Sequence, residues 1–443
     1  MFKRKIYQEL IAWSKDPHRK PLIVRGARQV GKTTAIKQFG LNFKCFLHLN
    51  LEKKSHRNLF EGTDNPKQII EDTALLLGIP LVPNSTLLFI DEIQNSPRAI
   101  AMLRYFYEEM PNIFVIAAGS LLESMLGEHI SFPVGRVEYK SMHPCCFQEF
   151  LEATGKGLFI ETINNSRISH AIHQELINLF NRYALVGGMP EIVDRYSENN
   201  DIVALNKTYN ELIVAYRGDV EKYSTRSSIT QVIRMILNDG WQFSGQNIKF
   251  EHFANSAYKS REVGEAFRTL EKTMLLKLVY PVTSTTMPSI PNLRYTPKLI
   301  WLDSGLVNYC AQIQREYLFN SDLIDTWRGH AAEQIVAQEL IALDYEVDKQ
   351  QAYWTKPKSE AEVDFTYIYQ GLIIPIEVKS GHNSHLKSIH QFINNANHDI
   401  AVRIWSGKFS VEDQKTQDGK AFRLVNLPFY MVSILPSILN KLI

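Results

Sequence analysis

The chain has 443 residues, which at roughly 100–200 residues per domain predicts two to four domains. Its content of 45% hydrophobic and 22% charged residues is typical of folded globular proteins and excludes a disordered chain. No apolar run approaches the roughly 20 residues that cross a bilayer, and no signal-peptide stretch follows Met1, so we expect no membrane partner. Four cysteines without CxxC spacing predict buried, reduced thiols in a cytoplasmic protein.

The net charge of +2 conceals a strongly basic N-terminal segment. Residues 1–44 carry eleven Lys or Arg against two acids, a local charge of +9. Such a segment either contacts an anion or is solvated.

A phosphate-binding loop lies within this basic segment. Residues 21–25 are apolar and predict a short buried strand, and residues 34–39 predict a helix that ends at Gly40. Between them the chain matches G-x-x-x-x-G-K-[ST], and this strand–loop–helix order is the context in which the motif binds phosphate. We expect Lys32 to reach the β- and γ-phosphates of ATP and Thr33 to bind Mg²⁺. The predicted nucleotide-binding residues are Gly26, Ala27, Arg28, Gln29, Val30, Gly31, Lys32, Thr33 and Thr34.

ATP is therefore the anion that best accounts for part of the basic charge. Arg28 and Lys32 lie in the loop, Arg25 precedes it, and Lys37 follows in the helix. We expect the other basic residues of the segment on a solvated or subunit-facing surface: Lys3, Arg4, Lys5, Lys15, Arg19, Lys20 and Lys44.

A second motif supplies the acids that ATP hydrolysis requires. Residues 87–90 are apolar and predict a strand, and Asp91 and Glu92 follow directly. We expect Asp91 to hold Mg²⁺ through water and Glu92 to orient or deprotonate the attacking water. The pair indicates hydrolysis rather than binding alone.

Two further polar residues are candidates for the same site. Ser120 follows a predicted strand over 114–118 and is either a γ-phosphate sensor or the N-cap of a helix that begins at Leu121. Arg136 is either an arginine finger, in cis or from a neighbouring subunit, or part of a surface salt bridge.

Together with Gly187-Gly188-Met189-Pro190, these motifs resemble prokaryotic AAA-type ATPases related to the STAND class. In that family an ATPase domain precedes a C-terminal domain of unknown function, and the resemblance covers nearly the whole chain. It implies a nucleotide-driven switch or motor without implying a substrate. Residues 147–223 resemble the helical lid of such ATPases, with Asp219 as a candidate lid-to-core contact. Pro-Cys-Cys-Phe at 144–147 departs from the Pro-Leu-Ser-Phe of the family and leaves the nucleotide residues untouched.

Residues 225–310 predict a winged helix. The pattern gives short helices over 229–237 and 250–254, a longer helix over 260–274, and strands over 276–281 and 295–302. An excess of basic residues permits DNA contact, whereas Glu262, Glu265 and Glu271 on the third helix would repel phosphates. We favour packing between domains over DNA binding.

The C-terminal region predicts a hairpin that brings carboxylates together. Strands over 362–369 and 372–379 are separated by two residues, Gln370 and Gly371. A two-residue turn places Asp364 directly opposite Glu377, with Lys379 on the same face. Like charges directly opposite each other destabilise a hairpin unless a cation bridges them.

This D-x(n)-E-x-K pattern resembles the PD-(D/E)XK nuclease superfamily, in which the acids bind Mg²⁺ and the lysine positions water or stabilises the scissile phosphate. The resemblance implies a metal site of Glu333, Asp364 and Glu377, with Lys379 catalytic. Alternatively, Glu362 lies opposite Lys379 and neutralises it, and the domain binds a partner without cleavage.

We therefore expect an α/β protein with a parallel P-loop NTPase sheet, a helical lid, a winged-helix module and a C-terminal α/β restriction-endonuclease-like domain. The predicted boundaries are 1–146, 147–223, 224–310 and 311–443. The expected cofactors are ATP and Mg²⁺. The first functional hypothesis is ATP-dependent processing of DNA or RNA by a metal nuclease. The alternative is a signalling or defence switch that acts on a partner protein, with a non-catalytic nuclease-like module. Homo-oligomerisation is left open.

Overall fold

The computed structural model describes residues 2–120, 133–166, 168–223, 226–314, 325–347, 349–379 and 386–443. The strands in these ranges are β1 Leu22–Arg25, β2 Cys45–Asn50, β3 Thr86–Asp91, β4 Phe114–Gly119, β5 Glu138–Ser141, β6 Leu276–Val282, β7 Lys298–Trp301, β8 Ala352–Thr355, β9 Glu362–Tyr369, β10 Leu372–Lys379, β11 Ile400–Trp405, β12 Ser410–Lys415 and β13 Ala421–Pro428. The α-helices are Ile6–Lys15, Lys32–Gly40, Lys54–Glu61, Pro66–Leu77, Pro97–Glu109, Phe147–Ala153, Leu158–Asn164, His170–Val186, Pro190–Asn199, Asn206–Gly218, Val220–Tyr223, Ser227–Asp239, Ser260–Lys272, Ser304–Cys310, Asp325–Ala342, Lys387–Asn395 and Leu435–Leu442.

Strands β1 to β5 form a parallel sheet in the order β2-β3-β4-β1-β5. Every residue of β3 is buried, as expected for a strand covered by helices on both faces. Because all the strands run the same way, the residues that follow β1, β3 and β4 meet at one edge of the sheet, where ligands of such folds bind. The predicted α/β fold with a parallel sheet is confirmed for this region.

The helical segment that follows is joined to the middle of the chain at a glycine pair. Helix His170–Val186 ends at Gly187, whose φ is 78°. A Cβ at this position would lie 2.3 Å from Asp303 Oδ1, so the close approach requires glycine. The next backbone N–H, of Gly188, donates to Asp303 Oδ2 at 2.5 Å. Burial raises the pKa of Asp303 to about 6.

The predicted pair of strands in the middle segment is confirmed, and it belongs to a larger sheet. Strands β6 and β7 pair antiparallel, and β6 also pairs parallel with β8. In the described residues an eight-stranded mixed sheet therefore runs in the order β12-β13-β11-β10-β9-β8-β6-β7. This sheet crosses the predicted boundary at 310/311, and that boundary stays a prediction.

Two expectations for the middle segment need correction. The helix expected over 250–254 is a single 3₁₀ turn, Phe253–Asn255, in which Ala254 has a φ of 52°. A positive φ at this position and at His252 interrupts the right-handed path that a helix needs. The strand expected over 295–302 is shorter, Lys298–Trp301. A winged-helix module stays a prediction.

The third helix of this module is Ser260–Lys272, and two of its acids bind other residues of the module. Glu265 pairs with Arg226 at 2.9 Å, and Glu271 Oε1 accepts from the N–H of Leu278 at 2.9 Å. The opposite face of the helix is buried against the module at Val263 and Phe267. These contacts hold the helix within the module, and packing between domains stays a prediction.

The C-terminal hairpin has the predicted register. Pairs run from Leu372 opposite Tyr369 to Ile376 opposite Phe365. Gln370 and Gly371 have φ values of 47° and 78°, which identify the type I′ turn that two-residue hairpins prefer.

Three of the four cysteines are buried, Cys310 is partly exposed, and all four are free. None of the helices in the described ranges is both long and apolar enough to cross a membrane.

Candidate functional site

The phosphate-binding loop is shaped by close backbone contacts. A Cβ on Gly26 would lie 2.4 Å from the carbonyl oxygen of Met142, which is backbone and cannot move aside. Gly31 precedes helix Lys32–Gly40 with a φ of 93°, a conformation that favours glycine. The two glycines of the motif are thus required by sterics, and the helix N-terminus faces the loop.

Lys32 and Thr33 begin this helix and lie where the motif predicts. Lys32 Nζ donates to the carbonyl oxygens of Gly26 and Ala27, each at 2.8 Å, and the residue is buried. Burial lowers the pKa of Lys32 to about 8. Thr33 Oγ1 donates to Asp91 Oδ2 at 2.9 Å. The loop and the acidic strand end therefore meet through this hydroxyl–carboxylate pair.

Asp91 and Glu92 occupy the carboxyl end of β3. Asp91 is buried and lies 3.6 Å from His48 Nε2 on the neighbouring strand. Glu92 has a left-handed φ of 53°. Its Oε2 accepts from Gln94 Nε2 at 2.5 Å, and burial raises the pKa of its carboxyl group. A carboxyl group with a raised pKa at a strand end is suited to general-base work near neutral pH.

Ser120 follows β4, the strand between β1 and β3, and is buried at the same edge as the loop. Its alternative role as an N-cap depends on residues 121–124, which lie outside the described residues.

Arg136 lies at the opposite edge. It precedes β5, whose Glu138 pairs with Leu22 at the start of β1, whereas the phosphate loop follows the end of β1. Its Nε donates to Glu108 Oε1 at 2.8 Å, and the side chain is 44% exposed. The parallel strands separate Arg136 from the loop of its own chain, which argues against the first of the three alternatives, a finger in cis. The surface salt bridge predicted as the alternative is present, and a role in trans stays a prediction.

Arg4 contacts the phosphate loop directly, although it lies more than 20 residues before the loop in the sequence. Sequence reasoning did not predict this contact. Its guanidinium donates to the carbonyl oxygen of Val30 at 2.7 Å, to that of His143 at 2.7 Å, and to Glu149 Oε1 at 2.9 Å. The expectation that Arg4 is a solvated charge is wrong, since the residue is 9% exposed. The basic N-terminus gave no signal for this role, because the paired acid lies 145 positions away.

Asp219, the candidate lid-to-core contact, does contact the loop. Its carboxylate forms an ion pair with Arg28 and is buried. The carbonyl oxygen of Arg28 accepts from the Tyr216 hydroxyl at 3.1 Å. Pro190 Cγ lies 3.5 Å from where a Cβ on Gly31 would be. The segment 147–223 therefore touches the phosphate loop at several points.

Three acids of the C-terminal region surround Lys298, a residue that the sequence did not predict at this site. Lys298 Nζ, from β7, lies 2.5 Å from Glu333 Oε2, 3.5 Å from Glu362 Oε1 and 3.8 Å from Asp364 Oδ1. Burial alone would lower the pKa of Lys298, but these carboxylates raise it. No sequence motif includes Lys298, which is more than 30 residues from each of its partners.

Lys379 pairs with its own strand neighbour rather than across the hairpin. Its Nζ lies 2.7 Å from Glu377 Oε1, so the alternative in which Glu362 neutralises Lys379 is wrong. Asp364 Oδ2 accepts from the N–H of Val378 at 2.7 Å. Burial raises the pKa of both Glu333 and Glu377. Within the described ranges, no group of three or more His, Cys, Asp or Glu side chains is arranged to hold a metal ion.

Comparisons with known proteins agree with the N-terminal site. Residues 18–151 match the family model of the AAA domain. Residues 177–317 and 328–430 each match a model described as a domain of unknown function (DUF8612 and DUF4143). No curated protein matches the chain. A Walker-type ATPase of Pyrococcus abyssi is similar in structure, with 15% identity, a TM-score of 0.41, and coverage of 70% of this chain and 96% of that one. Over residues 18–151, which include the phosphate loop, Asp91 and Glu92, this chain is therefore similar to AAA domains.

Proposed function

We propose that the protein hydrolyses ATP at the edge formed by β1, β3 and β4. The observation that carries the proposal is the hydrogen bond of 2.9 Å between Thr33 Oγ1 and Asp91 Oδ2. It joins the phosphate-binding loop to the acidic strand end, which are the two parts that hydrolysis requires.

The residues present fit ATP with Mg²⁺. Lys32 Nζ rests on two carbonyl oxygens of the loop and is free to turn towards phosphate oxygens when these arrive. Thr33 and Asp91 supply the hydroxyl and carboxylate oxygens that would hold Mg²⁺, which offsets the charge of the phosphates. Glu92 lies beside Asp91, where its carboxylate accepts a proton from the attacking water.

We further propose that the nucleotide changes the position of the helical segment 147–223, acting as a lid. Arg28 of the loop is paired with Asp219, and phosphate oxygens would compete for its guanidinium. Of the two functional hypotheses, this coupling supports the ATP-driven switch. Cleavage of DNA or RNA by the C-terminal hairpin is the second candidate. The strand pairing ends at Ile376 opposite Phe365, and Asp364 and Glu377 are the next positions along the two strands. The position of Lys298 among the acids weighs against cleavage. A plasmid-nicking assay with Asp364→Ala as the control tests that candidate.

The ATPase proposal is tested with Glu92→Gln. We expect ATP binding close to that of the wild type and hydrolysis slower by about 100-fold or more, because the group that accepts the proton is removed. Binding is measured with a fluorescent ATP analogue and hydrolysis by phosphate release. Glu109→Gln, at an exposed position of the same domain, is the matched control and keeps the wild-type rate. Wild-type hydrolysis by Glu92→Gln would refute the proposed role.

A further inference from the structure

Lys298 joins three elements through one ammonium group. β7 supplies the lysine, helix Asp325–Ala342 supplies Glu333, and β9 supplies Glu362 and Asp364. The side chain is 3% exposed, and the rings of Tyr353 and Phe365 lie 5.5 and 5.2 Å from Nζ. A cation enclosed in this way is desolvated and depends on its carboxylate partners.

Both oxygens of Asp364 and one oxygen each of Glu333 and Glu377, which a divalent metal would need, are already engaged. Mg²⁺ and Ca²⁺ take oxygen ligands at about 2.0–2.6 Å. Asp364 uses Oδ2 on the N–H of Val378 and presents Oδ1 to Lys298, and Glu333 presents Oε2 to the same lysine. Glu377 uses Oε1 on Lys379, so the described contacts leave its buried Oε2 without a hydrogen-bond partner. The set Glu333, Asp364 and Glu377 does not fit a metal, because one ammonium group lies among these acids and a second borders them.

We propose that Lys298 is a built-in cation that takes the place of a divalent metal in this cluster. Its charge offsets the repulsion between Glu333, Glu362 and Asp364 and fixes β7 against β9 and the helix. This cluster is then free of metal, and the lysine adds to the β6–β8 pairing that joins the C-terminal strands to the middle of the chain. The proposal concerns the cluster around Lys298 and does not depend on the proposed hydrolysis.

Binding of Mn²⁺ to the nucleotide-free full chain tests this, with the free ion followed by electron paramagnetic resonance. We expect the wild type and Asp364→Asn to bind Mn²⁺ equally weakly. Lys298→Met is expected to gain a site at least about tenfold tighter, because it frees three carboxylates, and Asp364→Asn in the same chain abolishes that site. Lys356→Met, an exposed position with the same loss of charge, gains no site.

Thermal unfolding gives a second readout on the same proteins. Lys298→Met is expected to unfold at a lower temperature than Lys356→Met, and Mn²⁺ restores part of the loss in Lys298→Met without changing the wild type. A wild-type site for Mn²⁺ that disappears in Asp364→Asn overturns the proposal, and this comparison needs no substitution of the lysine. A folded Lys298→Met with unchanged stability and no Mn²⁺ site overturns it as well.

Discussion

At the scale of single residues, the phosphate loop is supported by a buried arginine that belongs to no motif. Arg4 donates to the carbonyl oxygen of Val30 in the phosphate loop and to Glu149 in helix Phe147–Ala153. It therefore holds the loop against the helical segment. Removal leaves Glu149 buried at 6% exposure with one charge partner fewer.

We predict that Arg4→Met lowers the free energy of unfolding by about 3–5 kcal/mol, the usual effect of breaking a buried ion pair. ATP binding should weaken in parallel, because Val30 loses the donor that positions its carbonyl group. Urea denaturation and a titration with fluorescent ATP measure the two effects. Lys3→Met, at an exposed neighbouring position, is the control. Equal stability of the two variants would contradict a structural role for Arg4.

At the scale of elements, helix Asp325–Ala342 is joined to the helical segment through a buried acid. Glu339 Oε1 accepts from the N–H of Phe147 at 2.9 Å and from the Tyr183 hydroxyl at 2.7 Å. Burial raises the pKa of Glu339 to about 7, above its ordinary value of 4.5. The folded protein thus binds a proton more tightly than the unfolded chain between these pH values.

The sign of the pH dependence follows from the raised pKa. Protonated Glu339 contributes fully to the free energy of unfolding below its ordinary pKa. This contribution is lost as the pH rises through about 7. The free energy of unfolding then falls by up to about 3 kcal/mol. Glu339→Gln keeps an acceptor for Phe147 and removes the titration. We therefore expect the variant to gain stability relative to the wild type between about pH 5 and about pH 7.5, measured by urea denaturation. Glu360→Gln, at an exposed position, should show no such gain. If the free energy of unfolding of Glu339→Gln depended on pH as in the wild type, another group would be responsible.

At the scale of the whole molecule, the middle and C-terminal segments share one sheet. The N–H and C=O of Trp301 in β7 are both bound to the side chain of Gln334, at 2.9 and 2.7 Å. β6 pairs with β8 from beyond residue 310. The chain up to residue 310 alone would expose the edge of β6 and leave these buried backbone groups without partners.

We predict that a fragment of residues 1–310 aggregates or unfolds at a lower temperature than the full chain. Co-expression with residues 311–443 should restore a soluble complex, because β8 and the helix with Gln334 are supplied again. Size-exclusion chromatography and thermal unfolding measure this. A monomeric 1–310 fragment as stable as the full chain would show that the middle segment folds independently.

Local features of this fold could be predicted from the sequence, whereas distant contacts could not. The phosphate loop and the hairpin turn at Gln370 and Gly371 are set by neighbouring residues, so their geometry follows from spacing. Lys298 and Arg4 act through partners far along the chain, and a lone lysine or arginine has no periodicity that reveals its partner. Residues 250–254 have the apolar spacing of a helix, which predicts a helix there. They do not form one because His252 and Ala254 have positive φ angles.

Phosphate release by Lys32→Ala is the most direct test of ATP hydrolysis at the phosphate loop. We expect loss of hydrolysis by at least about 100-fold, since the lysine that meets the phosphates is gone. Lys37→Ala, an exposed lysine of the same helix, should keep the wild-type rate. Phosphate release by Lys32→Ala at the rate of Lys37→Ala would contradict hydrolysis at this loop.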